Sequence, residues 1–160
     1  MIIVTGGSGQ AGKACVRELQ EHGYDVTSVD LAPPASAGVR FSRVDLTDFG
    51  QTVAALSAID ERVTKVTGIV HLAAIRAPGL APNHVIFETN TVSTYNVFEA
   101  ARQLGIKNIV WASSETVLGL PFATPPHKRA FGPNETLLSI EKARRVLGYE
   151  PRYTWRDHSK

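Results

Sequence analysis

Apolar positions come in short runs that alternate with stretches of helical spacing. Ile2–Thr5 is a run rich in β-branched residues that stops at Gly6-Gly7, as a strand covered on both faces does. In residues 11–22, Ala11, Cys15, Val16 and Leu19 share one helical face, and Gly23 closes the segment. Residues 25–30 predict a second strand, Pro33-Pro34 a loop, and the alternating residues 39–44 a half-exposed third strand. Asp48 with Gln51 forms a capping box that starts a helix through about residue 59. Residues 68–73 and 106–112 are the fourth and fifth apolar runs. Between them lies a long helix with Asn83 as its expected N-cap and Gly105 at its end. Phe87, Asn90, Thr94, Val97, Phe98, Ala101 and Leu104 make one stripe along that helix, and Cys15 is expected to fill core space in the first one.

Strands alternating with helices predict a doubly wound parallel α/β sheet of about five strands, and right-handed crossovers favour the order 3-2-1-4-5. The pattern breaks near Leu118, where prolines at 121, 125, 126 and 133 mark a loop. One short helix follows at 140–147, capped by Ser139 and closed by Gly148. The expected organisation is a nucleotide-binding domain over 1–120, a Pro-rich loop over 121–135 and a basic C-terminal helix and tail over 136–160.

Composition changes this picture little. At 160 residues, 43% hydrophobic and 20% charged, the chain is sized for one globular domain and is not a disordered segment. One cysteine excludes a disulfide framework or a multi-cysteine metal site, and no metal is expected. No apolar run nears the ~20 residues of a membrane span, and no basic leader precedes Ile2, so a cytoplasmic protein without membrane contact is expected. The net charge is +2, but residues 127–160 hold eight Lys/Arg against four Asp/Glu. That tail lacks the interleaved aromatic pattern of a nucleic-acid surface, so no nucleic-acid partner is expected.

The chemistry concentrates in the turn after the first strand. Gly6, Gly9, Gln10, Ala11 and Gly12 lie in a G-x-x-G-x-x-G spacing that opens a helix. Such glycines permit a tight turn, a close approach of backbone N–H groups to a pyrophosphate, and close helix–strand packing. The helix dipole then favours an anion. Asp30 ends the second strand 18 residues after Gly12, where a carboxylate can accept bonds from adenosine ribose hydroxyls and repel a 2′-phosphate. NAD is therefore favoured over NADP. The same residues also read as Gly7-x-x-x-x-Gly12-Lys13, most of a nucleoside-triphosphate loop, although Ala14 stands where a magnesium-binding Ser or Thr belongs. Asn90, a polar group on an apolar stripe, must pin a backbone or ligand group. His71 reads as a packed strand residue rather than a base.

Taken with Asp45-Leu46-Thr47-Asp48, His71-Leu72-Ala73-Ala74, Asn90 and Trp111-Ala112-Ser113-Ser114-Glu115-Thr116-Val117-Leu118-Gly119, the turn and Asp30 resemble the extended short-chain dehydrogenase/reductase family. Within it they resemble the NAD-dependent nucleotide-sugar epimerase/dehydratase branch. The resemblance covers about residues 1–126, and residues 136–156 are similar to the end of such proteins. It implies a Rossmann-like sheet, NAD as cofactor and a nucleotide sugar as possible second partner. It places Asp45 and Leu46 at the adenine, Leu72, Ala73 and Ala74 along the cofactor groove, and Asn90 among the cofactor-binding positions. Ser114 matches the family's catalytic serine, and Thr116 lies beside the substrate.

One part of the family pattern is missing. Its acid–base step uses a tyrosine four residues before a lysine. Tyr24, Tyr95, Tyr149 and Tyr153 are followed at that distance by Ser28, Glu99, Tyr153 and Asp157. The sequence passes from near Pro126 to the family's last segment near Phe131, so the fold is expected to be truncated. Three functions follow as expectations: an NAD-binding family member with impaired activity, an active oxidoreductase or epimerase whose base comes from elsewhere, or a non-catalytic NAD-sensing or partner-binding module. The strand edge and helix face left bare predict a homo-oligomer.

Overall fold

A computed structural model describes residues 1–35, 38–57, 65–114 and 139–151. Five parallel strands form one sheet: β1 (Ile2–Thr5), β2 (Val26–Asp30), β3 (Arg40–Arg43), β4 (Gly68–His71) and β5 (Ile109–Trp111). Their spatial order is β3-β2-β1-β4-β5, as the pattern of alternating elements predicts. The central strand is held on both sides in register, with Val4 opposite Ser28 of β2 and Val70 of β4. The helices are α1 (Gln10–Glu21), α2 (Phe49–Leu56), α3 (Asn83–Leu104) and α4 (Glu141–Leu147).

The period of two in the strands divides the core between the sheet's faces. Ile3, Val29 and Ile69 pack with Leu56 of α2 and Val97, Ala100 and Ala101 of α3. Val4 and Val26 pack with Val16 of α1, joined by the half-buried Val70 and Cys15. Cys15 fills space as expected, and its partial burial pushes the thiol pKa up. Both faces of the sheet thus carry helices.

Compact contacts divide the chain into Met1–Ser113, which holds the whole sheet, and Ser114–Lys160, whose described element is α4. The expected Pro-rich loop at 121–135 lies outside the described residues. Ser139, the expected cap of α4, stands one residue outside that position: Ile140 is the N-cap with no side-chain cap, Glu141 N–H donates to Ser139 Oγ at 3.2 Å, and Gly148 closes the helix in the left-handed region at φ 63°.

Two expectations about helix ends meet different outcomes. Asp48 caps α2 as read, accepting the Gln51 N–H at 2.9 Å and the Gln51 amide at 3.2 Å. These bonds hold its carboxyl below the usual carboxylate range. Asn83 is not a cap: it is the first helical residue of α3, and Pro82, extended at ψ 143°, precedes it. Proline's fixed φ sets the turn into the helix without a capping side chain. The buried face of α3 also differs from the expected stripe. Ser93, Asn96, Val97, Ala100 and Ala101 are buried, while Phe87 is 70% and Phe98 40% exposed.

Candidate nucleotide-binding crevice

A crevice of about 400 Å³ opens at the C-terminal ends of β1, β2 and β4. Its floor is the turn after β1. Gly6 takes φ 68°, and a Cβ there would meet the backbone of Ala73 at 2.7–2.8 Å. Only glycine allows both the left-handed conformation and this approach of β1 to β4. Gly12, buried in the first turn of α1, has no room for a Cβ beside Gly6 O, so it sets how closely helix and turn pack. Gly9 stands at the N-cap of α1 and lines the crevice, and no side chain caps that helix. The backbone donors of its first turn therefore remain for a ligand, with the dipole favouring an anion.

Asp30 forms the next wall. Its Oδ2 accepts the Ser8 N–H at 3.0 Å and its Oδ1 the Leu31 N–H at 2.7 Å. Ser8 Oγ in turn donates to Ala32 O at 2.6 Å. The carboxylate is thereby tied to the glycine turn and still lines the crevice, with acceptor capacity left over.

Asp45, Leu46 and Thr47 line the far end. Asp45 Oδ1 accepts from Thr47 N–H at 2.9 Å and from Thr47 Oγ1 at 2.7 Å, an Asx turn. The buried Asn96 amide of α3 donates to Leu46 O at 2.8 Å and to Thr47 O at 3.0 Å, fixing the segment from behind. On the remaining side stand Leu72, Ala73 and Ala74 after β4, with Thr89 and Ser93 of α3.

Beneath this wall lies His71, 1% exposed. Its Nδ1 is 2.7 Å from Thr5 Oγ1 and its Nε2 3.2 Å from Thr94 Oγ1. Burial pulls its pKa down to about 4, so the ring is neutral near pH 7. It is a packed strand residue, too enclosed to act as a base.

The structure brings Gly6, Gly9, Asp30, Asp45, Leu46, Leu72, Ala73 and Ala74 to one crevice. Gln10, Ala11 and Gly12 lie in the first turn of α1 rather than on its lining. Asn90 is engaged with the protein itself: its Oδ1 accepts the Ile75 N–H at 2.8 Å and its Nδ2 donates to Ile75 O at 3.0 Å. Ser114 is exposed and belongs to the second unit, and Thr116 lies outside the described residues. Ser8, Leu31, Ala32, Val44, Thr47, Thr89 and Ser93 also line the crevice without having been singled out. Lys13, which a triphosphate loop would aim at phosphates, is exposed and not part of the lining.

The sequence profile of the NAD dependent epimerase/dehydratase family matches residues 2–137. The chain belongs to that family. NAD, the cofactor expected from the glycine turn and Asp30, is the one the family is named for. The member described here is 32% identical over 141 residues to UDP-glucose 4-epimerase 2 of Arabidopsis thaliana, covering 78% of this chain and 39% of that one. It is 31% identical to UDP-glucose 4-epimerase of Bacillus subtilis over the same shares. Among solved structures, UDP-glucose 4-epimerase of Thermus thermophilus in complex with NAD matches with TM-score 0.61 and 32% identity, over 71% of this chain and 37% of that one. A short-chain dehydrogenase/reductase superfamily protein of Agrobacterium tumefaciens with bound NAD matches with TM-score 0.61 and 30% identity, over 71% and 32%. The chain thus spans about two fifths of the length of the epimerases it matches. Among the described residues no helix is long and apolar enough to cross a membrane, and no cluster of side chains could hold a metal.

Proposed function

We propose that this family member is a cytoplasmic NAD-binding protein whose crevice holds the dinucleotide along the C-terminal ends of β1, β2 and β4. The observation that carries the reading is the pairing of an uncapped helix N-terminus with a strand-end carboxylate in one crevice. The glycine turn and the first-turn amides of Gln10, Ala11 and Gly12 take the diphosphate. Asp30 accepts the adenosine ribose hydroxyls, and Asp45 and Leu46 flank the adenine. Leu72, Ala73 and Ala74 guide the rest of the molecule along β4. Asn90 serves by holding the loop at Ile75 rather than by touching the cofactor. Calorimetry with NAD, NADP and ATP tests this: NAD binds best, because Asp30 repels a 2′-phosphate and Lys13 stands away from the lining. Tighter binding of ATP, or no binding of NAD, overturns it.

When bound, NAD supplies a hydride acceptor. The second partner is a nucleotide sugar, and Ser114, the position that matches the family's catalytic serine, would bond its hydroxyl. The Tyr-x-x-x-Lys pair is absent from the sequence, so no such tyrosine takes the hydroxyl proton. General acid–base help is typically worth about 10²–10⁴-fold, and turnover of UDP-sugars is expected to be slower than in an intact relative by at least that margin. Turnover at an intact relative's rate means that another group supplies the base.

The exposed Phe87, Tyr95, Val110 and Trp111 support pairing of the chain with a second copy. Light scattering shows a dimer if so, and a monomer at high concentration contradicts it.

A further inference from the structure

His71 is the one buried histidine among the described residues, and the reading above gives it no contact with cofactor or substrate. Its hydrogen bonds nevertheless run from the glycine turn to the outer end of the crevice wall. Leu72 and Ala73 N–H groups donate to Thr5 Oγ1 at 3.3 and 3.4 Å. With both of these accepted, the Thr5 hydroxyl proton is left for His71 Nδ1 at 2.7 Å. On the other side of the ring, Thr94 Oγ1 donates to Asn90 O at 2.7 Å. Its proton is spent, so it can only accept from His71 Nε2 at 3.2 Å. The donors and acceptors agree on one form of the ring, neutral with hydrogen on Nε2. The series ends at Asn90, whose side chain grips both the N–H and the C=O of Ile75.

We propose that Thr5, His71, Thr94 and Asn90 form a hydrogen-bonded clamp, buried at Thr5 and His71 and partly buried at Thr94 and Asn90, that sets the path of residues 72–75, making His71 and Thr94 positioning residues for the β4 side of the cofactor groove. The proposal rests on the NAD reading above and extends it. Leu72, Ala73 and Ala74 are tied at one end through Thr5 and at the other through Ile75, and the imidazole spans the two ties. Because the clamp lies under β4, it acts on the part of the dinucleotide beyond the diphosphate. The adenosine half rests on Asp30, Asp45 and Leu46, which other bonds hold. The protonated ring would present a donor at Nδ1 and lose the Thr5 bond, so the clamp needs the neutral form that burial enforces.

Thr94→Val keeps the shape and removes the acceptor for Nε2–H, while Thr94→Ser restores it. At a temperature where all three proteins are folded, the valine variant binds NAD about fivefold more weakly, the loss expected when one partly buried hydrogen bond fails. The serine variant stays within about twofold of the parent, and ADP binds all three within about twofold. General loosening of the fold would weaken NAD and ADP alike, and that result overturns the clamp. So does unchanged NAD affinity in the valine variant. If Thr94→Val does not fold, the imidazole ¹⁵N shifts of the unaltered protein decide: a neutral ring with hydrogen on Nε2 supports the clamp, and hydrogen on Nδ1 contradicts it. Failure of the unaltered protein to bind either NAD or ADP removes the nucleotide reading itself, and the groove role with it.

Discussion

The two sides of the sheet's midline differ sharply in how they are finished. β1 and β2 each have a neighbour on both edges, and Val4, Thr5, Ser28 and Val29 are essentially inaccessible. β5 has three residues and, among the described residues, one neighbour, and its Val110 and Trp111 are 65% and 48% exposed. Ile109 packs against the core, and Trp111 meets Phe98 edge-on, ring centroids 6.1 Å apart. The crevice sits wholly on the finished side, between β2 and β4. The residues that line the crevice therefore all come from the finished side, within a chain that spans about two fifths of its relatives' length, while β5 exposes apolar side chains.

The contrast can be tested by matched truncations. Ile69→Ala removes a side chain enclosed between sheet and α3 and costs about 2–5 kcal/mol in urea unfolding, whereas Val110→Ala, at an exposed position of β5, costs under about 0.5 kcal/mol. Equal costs would mean that β5 is covered in solution, as a dimer would do. Next in size is the acid response of the finished side. The folded pKa of His71, about 4, lies below its ordinary 6.5, so the unfolded chain binds the extra proton first. Stability from this residue is fully present above pH 6.5 and is lost as pH falls from 6.5 towards 4, up to about 3 kcal/mol. Thermal melts across that range show the decline, and His71→Leu flattens it; a parallel decline in that variant would assign the effect to other groups. Smaller again is Asp48→Ala, which removes the α2 cap and lowers the melting temperature without changing NAD affinity.

Much of the finished side was legible in the sequence, for physical reasons. Strands covered on both faces read as unbroken apolar runs, and glycines are forced where Gly6 meets Ala73 and Gly12 meets Gly6. An acid at a strand end is visible because β2 stops at Asp30. The long helix was harder. α3 carries large apolar residues on one stripe and small ones on the next, and periodicity favours the large ones. The fold buries Ser93, Asn96 and Ala100 beside the stripe's Val97 and Ala101 and leaves Phe87 and Phe98 outside, because short side chains let α3 approach α2 and the sheet closely. That rotation brings Thr89 and Ser93 to the crevice and Asn96 behind Leu46, none of which the stripe had indicated. Pro82 displaced Asn83 as the entry to the helix, since a fixed φ substitutes for a capping side chain. Asn90 was readable as a residue that must be satisfied, but not which group satisfies it, because Ile75 is brought to it only by the fold.

Ser93 offers the finest test of the finished side. Its hydroxyl is buried without a hydrogen-bond partner among the described residues. Ser93→Ala is therefore expected to leave the melting temperature unchanged or slightly raised, within about 0.5 kcal/mol. A clear drop would reveal a partner for the hydroxyl.

In the proposed site, one carboxylate and one helix N-terminus together hold NAD. Titration calorimetry of NAD into the full chain and into Asp30→Ala addresses it most directly. The parent is expected to bind measurably, the variant at least about tenfold more weakly, with a smaller preference for NAD over NADP once the carboxylate is gone. Equal affinity in the two folded proteins would contradict it.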